Sequence, residues 1–215
     1  MWVASFPRSG NTLLRAVLHR CFGLKSASIY GDDLGSNAAL EAIVGHVAEP
    51  AALAGQRWGP LKTHGVPADG APAVVVVRDP RAAVWSLHRY HGGRMRVEDI
   101  VAGRMPFEPW ERHTAAWVQR TAPTHVVRYE DLVGRSEATL EGIGTRLGLT
   151  RCGDVPTFEE MHAASPLYAR GGVRWEAGLT AEQVASIEAR CLPLMERLGY
   201  QPHGASADGP SRGPC

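Results

Sequence analysis

The sequence predicts an α/β domain, a three-layer open parallel sheet flanked by helices, and three observations lead there. Ala73 to Val77 is an uninterrupted, mostly β-branched run, the pattern of a strand buried on both faces of a parallel sheet. Short apolar segments of strand length alternate with longer segments whose apolar residues recur at helical spacing. The 215 residues suit one such domain, assigned to residues 1–200, with 201–215 as a Gly/Ser/Pro-rich tail of disorder-prone composition.

Trp2 to Phe6 reads as the first strand and Pro-Arg-Ser-Gly-Asn as a loop. Thr12 to Phe22 then carries Leu13, Leu14, Val17, Leu18 and Phe22 at helical spacing, and Gly23 is placed as its left-handed stop. Ala38 to Ala54 is helical in period, with Pro50 breaking or restarting it. Gly59 to Thr63 is a short strand, and after the Ala73 strand Pro80 opens a helix through Ala83, Val84 and Leu87. Glu108 to Thr121 is an amphipathic helix, Thr124 to Val127 a strand, and Ser136 to Leu147 a helix that Gly148 ends. Thr180 and Gln183 have capping-box spacing before a helix from Val184 to Leu198, closed by Gly199. Sheets of this kind bind ligands beyond the carboxyl ends of their strands, so that edge is where chemistry is expected.

Lys and Arg total 23 against 22 Asp and Glu, a near balance that argues against a nucleic-acid partner and against a membrane-surface partner. Cys21, Cys152, Cys191 and Cys215 form no CxxC pair, which argues against a zinc site or a disulfide framework and fits a reducing, cytoplasmic location. The opening MWVASFPRSG has no basic n-region, and the longest apolar run is far too short to cross a bilayer, so a soluble protein is expected.

The loop SFPRSGNT lies between the first strand and the first helix, where backbone N–H groups and a helix N-terminus make an anion site. Gly10 lets the backbone approach a ligand closely, Ser9, Asn11 and Thr12 add side-chain donors, and Arg8 adds a permanent planar cation. The plain alternative is an ordinary strand-to-helix turn with Asn11 as N-cap. The Lys-Ser/Thr pair of GxxxxGK[ST] is missing, so the loop suits phosphate or sulfate without a metal.

This loop, Phe6-Pro-Arg-Ser-Gly-Asn-Thr-Leu-Leu-Arg15, resembles the 5′-phosphosulfate loop of sulfotransferases that use 3′-phosphoadenosine 5′-phosphosulfate (PAPS), and further blocks in the same order strengthen the resemblance from Trp2 to about Leu198. Arg78-Asp-Pro-Arg-Ala-Ala-Val-Trp-Ser86 resembles the 3′-phosphate element, implying Arg78 and Ser86 as phosphate contacts. Arg128-Tyr-Glu-Asp-Leu132 is similar to the YEDL block and implies a nucleotide contact for Tyr129. Thr157-Phe-Glu-Glu-Met161 resembles the segment whose Phe stacks on adenine, a role implied for Phe158, with core packing the alternative. Tyr168 to Trp175 resembles RKGxxGDWK in a shortened form, implying Arg170, Gly171 and Gly172 at the 3′-phosphate, with Arg174 as a second cation. The implied fold is P-loop-like, and the implied co-substrate is PAPS, with no metal.

Pro-Leu-Lys-Thr-His-Gly matches the family element KTHxP and implies His64 as general base, taking the proton of an acceptor hydroxyl. Lys62, Arg8 and Ser86 join it as catalytic candidates: Lys62 sharing the charge of the transferring group, and Arg8 stabilising the leaving phosphate without donating a proton. His19, His46, His88, His91 and His113 read as structural. Residues 29–37, 89–95 and 105–110 supply aromatic and aliphatic side chains for an acceptor pocket, although Trp85, Tyr90, Phe107 and Trp110 suit a core equally well. The implied partner is a small-molecule acceptor with a hydroxyl or an amine. The family dimer element KxxxTVxxxE falls where Glu176, Ala181 and Ala185 stand instead, so the chain is a monomer or a dimer built differently. A nucleotide-kinase-like phosphotransferase and a non-catalytic nucleotide-binding module remain open from the residues alone.

Overall fold

The computed structural model describes residues 1–31, 33–166, 168 and 174–204. In chain order the elements are β1 (Trp2–Ala4), α1 (Asn11–Phe22), β2 (Ala27–Ser28), α2 (Ala38–Val44), β3 (Leu61–Thr63), β4 (Ala73–Val77), α3 (Pro80–Tyr90), α4 (Val97–Ala102), α5 (Trp110–Val118), β5 (Thr124–Arg128), α6 (Tyr129–Val133), α7 (Glu137–Leu147), α8 (Phe158–Ala164) and α9 (Ala181–Arg197). Single 3-10 turns occupy Pro50–Leu53 and Trp175–Ala177.

The strands form one parallel sheet in the order β2-β3-β1-β4-β5. Val3 at the centre is in register with Lys62 on one side and Val74 on the other, so the carboxyl ends of β3, β1 and β4 lie side by side. Every residue of β4 is buried, as its composition predicts. Val74 and Val76 pack with Val3, Leu14, Leu18 and Ile143, which places α1 and α7 on that face. Val75 and Val77 pack with Ala4 and Trp117 on the opposite face, where α3, α4, α5 and α9 build a second cluster around Val84, Ile100, Trp110 and Ile187. Burying each such side chain stabilises the fold by roughly 1.5–3 kcal/mol, and the result is the three-layer arrangement expected.

Gly23 and Gly148 end α1 and α7 in the left-handed region, at φ 69° and 61°. The helical period over 38–54 is interrupted earlier than Pro50 suggests. Gly45 closes α2 at φ 60°, where a Cβ would stand 2.5 Å from Cδ2 of His19, and Pro50 opens only a 3-10 turn. The Thr180–Gln183 capping box forms in full, and α9 starts at Ala181, three residues before the apolar pattern. β2, α4, α6 and α8 are too short to show as periodic segments. Among the described residues no helix is long and apolar enough to cross a membrane. Of the tail, 201–204 belong to the fold, Gln201 accepting a hydrogen bond from Arg81 through its carbonyl (3.0 Å), and 205–215 lie outside the described residues.

Candidate active site

The chain between β1 and α1 turns sharply through two left-handed residues, Arg8 at φ 62° and Gly10 at φ 101°. Gly10 is the N-cap of α1 and no side chain caps the helix, so Asn11 is the first helical residue rather than its cap. The Asn11 amide turns back instead, Nδ2 donating to the Val3 carbonyl (3.1 Å) and to Ser5 Oγ (3.3 Å), which fastens the helix start to the strand end. No acidic side chain occupies the first turn, so the positive end of the helix dipole is left uncompensated. A Cβ on Gly10 would lie 2.4 Å from Tyr129 Cδ2, so glycine is needed there for space as well as for its φ.

Arg78 leaves the end of β4 and reaches under the loop, its Nη1 donating to the Arg8 carbonyl (2.9 Å). Its guanidinium lies 4.3 Å from the centre of the Tyr129 ring, and that of Arg8 lies 4.7 Å from the Tyr90 ring. Arg8 Nε, Ser9 Oγ, Arg78 Nε and Asn11 Oδ1 are buried and have no hydrogen-bond partner among the described residues. Three of these four are donors, Arg8 Nε and Ser9 Oγ in the loop and Arg78 Nε at the end of β4, the chemistry that oxyanions satisfy. Burial pushes the Arg8 guanidinium down from its ordinary pKa, with Arg78 adding to the effect, so an anion beside Arg8 would relieve it.

The two blocks after the sheet are cross-tied. Asp79 caps α3 by accepting from the Arg81 amide (2.8 Å), while its own N–H donates to Glu130 Oε1 (3.2 Å). Glu130 also accepts from the Tyr200 hydroxyl (2.9 Å), and Arg81 pairs with Asp79 and Glu188. The Glu130 carboxylate therefore serves structure. Ser86 is buried on α3 about two turns beyond Asp79, and Thr12 is half-buried in the first turn of α1.

On the other side of β1, His64 follows β3 directly. Its Nδ1 is 2.8 Å from the Ser5 carbonyl, an atom that only accepts, so Nδ1 carries the proton and Nε2 keeps the lone pair. Its amide donates to the Tyr30 hydroxyl (2.8 Å), the Tyr30 ring stacks on the imidazole at 5.9 Å, and Phe107 meets it edge-on at 6.1 Å. Burial, with the Lys62 charge, lowers the His64 pKa to about 4, so the ring is neutral at pH 7. The turn behind it is pinned by Trp117 Nε1 donating to the Gly65 carbonyl (2.8 Å).

Lys62 is not free at the strand end. Its ammonium contacts the Asp33 carboxylate, which also binds Arg15 of α1 (3.1 Å), in a buried Arg15–Asp33–Lys62 cluster. Phe158 opens α8, its ring stacked on His162 (5.4 Å) and tilted against Tyr168 (5.8 Å). Burial, with Tyr129 adding to it, raises the Tyr168 phenol to about 12, and Tyr129 and Tyr168 pack against the same core cluster. Arg170, Gly171 and Gly172 lie outside the described residues.

Asp33 lies in no motif, and Arg15 and Ser5 stand in the loop block with no role read for them, because the contacts that give these three their roles span 29, 18 and 59 residues of chain. His113, read as structural, is buried within electrostatic reach of His64 and beside the Gly65 backbone. Trp110 is core, donating to the Arg78 carbonyl (3.1 Å), whereas Tyr90 and Phe107 face the site. Among the described residues no group of three or more His, Cys, Asp or Glu side chains suits a metal ion.

No protein-family model matches the chain. A WSCD family member of Aedes aegypti is 30% identical over 159 residues, and one of Drosophila pseudoobscura pseudoobscura is 28% identical over 167. Each alignment covers 66% of this chain and 48% of the relative, so the chain spans about half the length of the curated relatives it matches. Among solved structures, mouse sulfotransferase SULT7A1 complexed with PAP superposes with a TM-score of 0.65 at 17% identity, over 91% of this chain and 83% of that one. Retinol dehydratase in complex with androsterone and the inactive cofactor PAP gives 0.62 at 16%, over 91% and 80%. The sulfotransferase domain of the Synechococcus PCC 7002 olefin synthase gives 0.53 at 19%, over 93% and 94%. The chain has the fold of these sulfotransferases.

Proposed function

We propose that the chain is a PAPS-dependent sulfotransferase that places a sulfuryl group on a hydroxyl of a small-molecule acceptor. The observation that carries this reading is the set of buried, unpartnered donors of Arg8, Ser9 and Arg78 around Gly10, one strand away from a neutral His64 whose Nε2 is free to accept a proton. PAP in the neighbours with this fold supports the same co-substrate here.

PAPS supplies a sulfuryl group on a phosphate leaving group. In this reading Arg8, Ser9, the N–H groups opening α1 and Thr12 hold the 5′ end. Arg78, Ser86 and the 170–172 segment take the 3′-phosphate, while Tyr129 and Phe158 bracket the nucleoside. His64 Nε2 accepts the hydroxyl proton, and the Ser5 carbonyl keeps the ring in the tautomer that can do so. A pKa of about 4 makes a weak base, but an anionic donor offsets the Lys62 and Arg8 charges and raises it in the complex. Tyr30 and Phe107 limit water around the ring.

The test is PAP binding by calorimetry, followed by incubation with labelled PAPS and a panel of phenols, alcohols and amines read by mass spectrometry. Binding together with a sulfated product supports the reading. Binding without any product leaves a nucleotide-binding module, and no binding removes the proposal.

A further inference from the structure

The chain contains two lysines, Lys25 and Lys62, and every other Lys/Arg position is arginine. Lys25 is exposed, while Lys62 is buried on β3, in register with Val3 at the centre of the sheet. A compact ammonium is thus kept at an interior position two residues before His64.

Its partner is built with more support than a surface ion pair has. The Asp33 side chain is 5% exposed and is shared between Lys62 and Arg15, whose own side chain is 0% exposed. Arg15 is fixed in turn by donating to Ser26 Oγ (2.8 Å) and to His46 Nδ1 (2.9 Å). Burial alone would raise the Asp33 carboxyl, but Arg15 and then Lys62 hold it below the ordinary range, so it stays a carboxylate. Two cations on one carboxylate leave a surplus positive charge. Arg15 keeps Asp33 compensated whether or not Lys62 also meets a second anion, so Lys62 can be shared with an incoming group without stranding a buried charge. The groups facing the ammonium are Asp33, Arg15, Arg8, His64 and the Tyr30 ring, whose centre is 5.9 Å from Nζ. Tyr30 and Asp33 belong to one short segment after β2, so that segment contacts both the base and the lysine.

We propose that Asp33 is a positioning residue for the transfer step: anchored by Arg15, its carboxylate holds the Lys62 ammonium beside His64, where it meets the arriving sulfuryl group. The proposal rests on the sulfotransferase reading above and adds a residue that no motif contains. Asp33 itself does not touch the reacting atoms.

Lysine-selective ¹³C labelling gives one Cε signal for each of the two lysines, so the test has a readout besides turnover. In the unsubstituted chain PAP should shift the Lys62 signal and leave that of Lys25 in place. In Asp33→Asn the Lys62 signal should move toward that of Lys25 and kcat should fall about 10²-fold, the scale of a misplaced catalytic group. PAP affinity and the KM for PAPS should stay within about threefold, because a transition-state contact and not ground-state binding is lost, and Asp33→Glu should recover part of kcat. If Asp33→Asn fails to fold around an uncompensated Arg15, the double variant Arg15→Met, Asp33→Asn removes both charges and takes its place. Unchanged kcat and an unmoved Lys62 signal overturn the proposal, as does a loss of activity matched by equal losses of PAP affinity and melting temperature. A parent chain that binds PAP but sulfates nothing sinks the sulfotransferase reading instead. In that case an unshifted Lys62 signal on adding PAP overturns the positioning role as well, and a shifted one that Asp33→Asn abolishes supports it.

Discussion

The two sides of β1 handle positive charge in opposite ways. Toward β4, the Arg8 and Arg78 guanidiniums rest on tyrosine faces with their Nε atoms unmet. Toward β3, Arg15 and Lys62 close on one carboxylate, and the neighbouring imidazole is held by a backbone carbonyl. Cations left open in a buried place recruit an anion, whereas cations already paired hold a geometry. In the proposed reading the first side binds and the second carries the chemistry, so substitutions on the two sides should separate affinity from turnover.

The sharpest separation comes from His64→Ala. Without the base, kcat should drop about 10²–10⁴-fold, while PAP affinity by calorimetry stays near that of the parent chain; activity that survives intact would remove His64 from the chemistry. On the open side, Arg78→Met should weaken PAP binding about 10–100-fold, the scale of one charge-assisted contact. The kcat reached at saturating PAPS should change little. A uniform loss of both quantities would mean that the two sides are not independent. Gly10→Ala should lower PAP affinity about tenfold and reduce the melting temperature, since the added Cβ meets Tyr129 at 2.4 Å on a backbone with φ 101°. Trimming the ring with Tyr129→Leu should recover part of the melting temperature lost in Gly10→Ala.

The smallest effect concerns stability and pH. Burial lowers the pKa of His113 to about 3 and that of His64 to about 4, so both are neutral in the folded chain. Below pH 6.5 the unfolded chain binds protons that the folded one refuses, and stability falls with pH until those folded values are reached. Each group contributes at most about 1.4 kcal/mol per pH unit in that window. His113→Leu should therefore flatten the decline in denaturant midpoint between pH 7 and pH 5, and an unchanged slope would show that His113 takes no part in it.

The open side was legible in the sequence because its parts are local. One loop supplies Arg8, Ser9 and Gly10, and Arg78 and Tyr129 each stand at the end of a strand that announces itself by β-branched residues. The paired side was half legible: His64 and Lys62 stand in a recognisable tripeptide, but the carboxylate that holds Lys62 sits 29 residues away in a segment with no periodic pattern. Lys62 was expected to face the transferring group and is found on Asp33, because a buried ammonium takes the nearest anion. The break of the 38–54 helix at Gly45 was missed for a similar reason: the His19 ring that leaves no room for a Cβ there belongs to α1.

Arg8 stands at φ 62° in a region that side chains other than glycine, asparagine and aspartate seldom enter. Selection for a well-folded chain alone would favour glycine at that position, and drift toward stability would erase the cation while leaving the turn intact. A search for thermostable variants should therefore return Arg8→Gly among its hits, and those hits would be the ones that have lost their grip on the anion.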